Sequence, residues 1–70
     1  MSVEKIKQYL DAAKESKEQH QRNRAVPTSG NDRVQQAMHW WNAQTQAVRL
    51  IIGSHLKLDT STDVTNFYWG

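Results

Sequence analysis

The sequence predicts an all-α protein. The expected form is an antiparallel two-helix hairpin with an extended aromatic C-terminal tail, completed by oligomerisation into a helical bundle. Three observations predict it. Apolar residues recur at spacings of three and four in two segments, the signature of amphipathic helices. A stretch holding Pro27, Ser29 and Gly30 separates those segments. Aromatic residues gather at two places, Trp40–Trp41 and Phe67–Tyr68–Trp69.

The first helix is expected over about 3–23. Ser2 is a good N-cap, and Glu4 sits near the positive helix end. Val3, Ile6, Leu10 and Ala13 form a heptad-like seam. Continued onward, that seam meets Lys17, His20 and Arg24, so it turns polar halfway along. Lys14 with Glu18, and Glu18 with Arg22, are oppositely charged pairs four apart that support helix through the polar run.

The linker is expected over 24–31. Pro27 disfavours helical geometry at Val26. Ser29 or Asn31 can cap the next helix, and Ser29 with Asp32 has capping-box spacing.

The second helix is expected over about 32–56. Val34, Met38, Trp41, Thr45, Val48 and Ile52 make one stripe. Ala37, Trp40, Ala43, Ala47 and Leu50 make a second beside it, with Ile51 between. Two adjacent stripes give a broad apolar face. Gly53 is a natural stop, although the helix can run through it to about residue 57 at a cost of about 1 kcal/mol. The tail, 57–70, is rich in β-branched and aromatic residues and is expected to be extended. Thr60 with Asp63 offers the alternative of one capped helical turn.

Length and composition make self-sufficiency marginal. Seventy residues, 37% of them apolar, form one domain over 1–70 at most. Ordering costs about 1.5 kcal/mol per residue and burial returns about 25 cal/mol per Å², so a chain this polar lands near zero. Small chains add disulfides, a metal or a partner. There is no cysteine, which removes the first. No apolar run approaches the roughly 20 residues that span a bilayer, and the first 13 residues lack the apolar core of a signal peptide. The expected location is therefore cytoplasmic, or a host cytoplasm or virion were the chain viral, with no membrane partner.

A hairpin of these helices is unbalanced. The apolar half of the first helix matches Thr45 to Ile52, but Met38, Trp40 and Trp41 fall opposite the polar run. Each tryptophan has roughly 150–250 Å² to bury. Either the tail folds back over the pair or another molecule covers it. The candidate partner-binding residues are therefore Met38, Trp40, Trp41, Phe67, Tyr68 and Trp69, because clustered aromatic anchors resemble binding hot spots. The expected function is non-catalytic protein binding, to a copy of itself or to another chain. Two forms fit it: a structural component of a larger assembly, such as a virion or secretion machine, and an inhibitor or adaptor.

The competing class is nucleic-acid binding through Lys14, Lys17, Arg22, Arg24 and Arg33 near the linker. A net charge of +2 and a pI of about 9.2 are only mildly basic, and Glu15 and Glu18 interrupt the strip. No metal site is expected, since His20, His39 and His55 lack ligand spacing. No phosphate-binding glycine loop and no catalytic constellation is visible, so neither a cofactor nor an enzyme activity is expected.

Overall fold

The computed structural model describes residues 3–24 and 26–70. Its regular structure is all helix, in four elements: α1 (Val3–Arg22), α2 (Gly30–Asn42), α3 (Gln46–Leu56) and α4 (Ser61–Trp69). Ser2, the expected first cap, lies outside the described residues.

The long second helix of the sequence reading is two helices. The break falls between Asn42 and Gln46: Ala43 still has helical angles, but Thr45 takes extended backbone angles (φ −65°, ψ 157°) and its side chain accepts from the Val48 amide. A threonine with its own backbone acceptor role competes with helix continuation at such a position. Gln44 Nε2 donates to the Trp40 carbonyl, which also accepts from the Ala43 amide, so a side chain adds to the backbone bonds that close the end of α2. The break redirects the apolar stripes. In α2, Ala37 and Trp40 are buried, whereas Ala47 and Leu50, which continue the same stripe, are exposed in α3.

Gly53 does not stop α3. The helix runs to Leu56, and Lys57 caps it in the left-handed region (φ 56°), with its amide and that of Leu58 both donating to the Gly53 carbonyl.

The expected extended tail is a correction of a different kind, because it is the helix α4. Thr60 Oγ1 accepts from the Asp63 amide, and Asp63 Oδ2 accepts from the Thr60 amide, completing a capping box. The Asp59 amide donates to the same carboxylate. Two orphan donors satisfied at once outweigh the weak strand preference of Val64, Thr65 and Phe67. Helical spacing also puts Val64 and Tyr68 on one face, and both are buried.

At the start of α2, Ser29 accepts from the Asp32 amide, while Asp32 Oδ2 accepts from Thr28 Oγ1 rather than closing a box with Ser29.

α2 packs on α4, and α1 packs on α3. The buried core is Ala13, Ala37, Trp40, Ile52, Val64 and Tyr68, so every helix contributes to it. Burial along α1 runs opposite to its hydropathy. Val3 is 81% exposed, Ile6 and Leu10 are half-buried, Ala13 is buried, and the polar continuation then includes Lys17 at 9% exposure. α4 sits over that polar half, and its last turn makes the contacts that bury it.

Candidate functional site

α2 carries two adjacent tryptophans, and adjacent helical residues point about 100° apart. Trp40 therefore faces inward, 1% exposed, while Trp41 is half-buried. The Trp40 ring centroid lies 5.5 Å from Tyr68, 6.0 Å from Phe67 and 6.0 Å from Trp41. These tilted pairs lie within the separations that favour aromatic contact. The Trp40 Nε1–H donates to Ser16 Oγ of α1 at 3.1 Å. Trp41 packs against α3, where its ring lies beside Gly53.

α4 supplies the remaining aromatics. Tyr68 is fully buried and meets Trp69 edge-on at 4.9 Å. Trp69 is half-buried; its Nε1–H donates to the Arg33 carbonyl, and the Arg33 guanidinium stands 5.5 Å from its ring. Phe67 and Met38 are half-buried against the core. The structure thus brings five of the six candidate binding residues into a network of ring contacts spanning α2 and α4, with Met38 packed on the core beside it. Trp40 and Tyr68 lie wholly inside. Met38, Trp41, Phe67 and Trp69 keep partial access to solvent.

The basic candidates are divided. Lys17 turns inward and donates from Nζ to the Phe67 carbonyl at 2.7 Å, with its ammonium 4.6 Å from the Phe67 ring. Gln21 Nε2 donates to the Tyr68 carbonyl at 2.6 Å. α1 therefore caps the negative C-terminal end of α4 with a cation and an amide. Lys14, Arg22, Arg24 and Arg33 are exposed, but Arg24 Nε donates to His20 Nε2 at 3.0 Å and Arg33 stacks on Trp69.

Around Tyr68 lies a polar cluster that the sequence reading did not single out. Its hydroxyl is 2.5 Å from His20 Nδ1, and Gln36 Nε2 donates to it at 3.0 Å. Burial depresses the His20 pKa below its ordinary value, and Arg24 and His39 push it the same way. Burial likewise lowers Lys17 and raises the Tyr68 phenol, the latter opposed by the Gln36 hydrogen bond. Ser16 and Gln36 are the residues missed, and His20 was weighed only as a metal ligand. A signal for two inward-turned positions was present: Lys17, which is buried, and His20, which is half-buried, continue the seam of Ile6, Leu10 and Ala13.

Outside this cluster the described residues line open grooves. One, on α1 and α3, is lined by Ile6, Leu50, Ile51, Ser54 and His55. Leu50 is 64% exposed there. Among the described residues no three of His, Cys, Asp and Glu converge as metal ligands, and no helix is long and apolar enough to cross a membrane. Comparison with protein-family models, curated proteins and solved structures finds no match for the chain.

Proposed function

We propose that this chain is a non-catalytic protein-binding module, acting as a small assembly component or as an adaptor. The observation that carries the reading is the unequal cover of its helices. α2 has α4 laid across its apolar face, whereas the groove of Ile6, Leu50 and Ile51 on α1 and α3 lies open with a mid-helix leucine largely in water. A contiguous apolar strip of this kind gains from burial at about 25 cal/mol per Å². A helix of another chain laid along it supplies for α1 and α3 what α4 supplies for α2. A second copy doing so reciprocally gives the oligomeric bundle expected from the sequence. The partly exposed Met38, Trp41, Phe67 and Trp69 provide a further aromatic contribution to binding. Trp40 and Tyr68 are reserved for the fold.

The test compares the wild type with Leu50→Glu by sedimentation equilibrium over a wide concentration range, and by crosslinking in the native source. The reading expects mass rising above 8.1 kDa, or a crosslinked partner chain, that is lost in the variant while far-UV circular dichroism is unchanged. Wild-type protein that stays at 8.1 kDa and crosslinks to the same chains as the variant overturns it.

Nucleic-acid binding draws less support, because Lys17 caps α4 and Arg33 stacks on Trp69. It requires binding to generic DNA or RNA that weakens steeply with salt.

A further inference from the structure

We propose that the cleft between Arg33 of α2 and the last turn of α4 docks an acidic segment of a partner protein, with the Arg33 guanidinium taking an aspartate or glutamate carboxylate. The inference rests on the protein-binding reading and deepens it, at a surface separate from the groove of α1 and α3.

The cleft is open and encloses about 410 Å³. Gly30 and Arg33 line it from α2, and Thr65, Asn66, Trp69 and Gly70 line it from the α4 side. Asn66 and Trp69 are three residues apart, and Thr65 and Trp69 four, so one face of α4 borders the cleft.

Arg33 is held at both ends by one indole. The Trp69 Nε1–H donates to its carbonyl at 3.0 Å, and its guanidinium stands over the same ring, 5.5 Å from the centroid. Tyr68, fully buried, meets Trp69 edge-on at 4.9 Å and sets the indole from the core side. A long side chain ordinarily gives up rotamer freedom when it binds, and here part of that ordering is already built into the fold. The guanidinium still keeps its donors. Stacking uses its face, and among the described residues no hydrogen bond or ion pair engages its edge. A planar cation ordered at its face and open at its edge suits a carboxylate, which accepts two parallel N–H bonds from it.

The other lining groups point to a peptide. The Asn66 side-chain amide has no partner among the described residues and offers both donors and an acceptor, as a peptide unit requires. The one polar atom of the Trp69 ring is spent on the Arg33 carbonyl, so the indole adds apolar surface. Among the described residues no acidic side chain lines the cleft to compete for the guanidinium. Arginine and tryptophan are also the residue types that dominate binding hot spots. A nucleic-acid backbone calls for a row of cations, whereas Arg33 is the single cation among the described lining residues.

The experiment titrates the whole chain with acetyl-Leu-Glu-Leu-amide and with its glutamine counterpart, following the Trp69 indole N–H and the Arg33 Nε–H by NMR. The glutamate peptide should shift both signals and saturate, with a Kd on the order of 1 mM. The glutamine peptide should bind about tenfold more weakly, because it leaves the guanidinium without a charged acceptor. Arg33→Lys keeps the charge but not the paired donors, and should lose about the same factor. Equal binding of the two peptides overturns the proposal, as does full affinity in Arg33→Lys. Oligothymidylate that moves these two signals at lower concentration than the glutamate peptide overturns it in favour of phosphate. Should Arg33→Lys not fold, the comparison of the two peptides on the wild type decides alone. Association lost in Leu50→Glu, with Arg33 indifferent to the peptide, removes this contact and leaves the protein-binding reading. Peptide binding at Arg33 with no association and no crosslinked partner removes that reading and leaves the carboxylate site.

Discussion

The Trp40 indole donates to Ser16 Oγ at 3.1 Å, tying α2 to α1 at the point where α4 covers both. The residue is 1% exposed and its one polar atom is satisfied, so it serves the core. Trp40→Ala should cost about 3–5 kcal/mol in urea denaturation. Ser16→Ala should cost about 1–3 kcal/mol, since it leaves the buried indole N–H without its acceptor. Trp41→Ala removes a half-buried ring and should cost less than Trp40→Ala. Equal losses at 40 and 41 would contradict this division of roles.

The Thr60–Asp63 capping box makes a helix of a segment whose composition favours strand. Asp63 Oδ2 accepts from two backbone amides, those of Asp59 and Thr60. Asp63→Ala should therefore destabilise by about 1 kcal/mol, with the loss concentrated in α4. Amide exchange reads this directly: α4 should exchange faster while α1 and α3 are little changed. Uniform acceleration would mean that α4 does not open separately.

How much of this was legible in the sequence differs by element. The all-helical class followed from apolar periodicity; for the start of α2 the sequence offered Ser29 or Asn31 as cap with helix from about 32, and the structure uses Ser29 with helix from Gly30. The break at Thr45 was hidden by that same periodicity, because Thr45 falls in register with Trp41 and Val48, and an unbroken helix fits the pattern equally well. The helicity of α4 had two signals, the Thr60–Asp63 spacing and the helical spacing of Val64 with Tyr68. The strand propensity of its β-branched and aromatic residues points the other way. Among the candidate site residues, the aromatic grouping was visible but its inward and outward members were not, since that depends on where α4 lies. The burial of Lys17 and the half-burial of His20 were not legible because a polar residue on a seam reads as the end of a core. Here the polar atoms meet the carbonyls and hydroxyl at the end of another helix, which no pattern within α1 announces.

Tyr68 predicts a loss of stability in alkali. Burial raises its phenol pKa above the ordinary 10.0, so the fold favours the neutral form. That contribution is full below about pH 10 and disappears as pH rises through the raised folded-state value. Lys17 acts in the opposite sense: burial lowers its pKa, so loss of its proton is easier in the fold than in the unfolded chain. Tyr68→Phe separates the two. It should be less stable than wild type near neutrality through loss of the His20 and Gln36 contacts, about 1 kcal/mol. The gap should then narrow above pH 10. Urea midpoints from pH 8 to pH 11 measure this, and a constant gap would remove Tyr68 as the alkaline group.

Gly53 is a helix-interior glycine that nothing in the fold requires to be glycine. It lies within α3 and its backbone is not in the left-handed region. A methyl group there would meet Trp41 at 3.5 Å and 3.7 Å, ordinary contact distances that add packing without displacement. Alanine also loses less backbone freedom on folding than glycine. Gly53→Ala should therefore stabilise by about 0.5–1 kcal/mol or slightly more, read as a higher urea midpoint with an unchanged slope. At Gly30 the same change meets nothing within 4 Å, so its gain should come from helix propensity alone and be smaller. A midpoint lowered by Gly53→Ala would place the Trp41 ring closer to α3 than found, and would weaken the assignment of Trp41 as the half-buried neighbour of the α2–α3 bend.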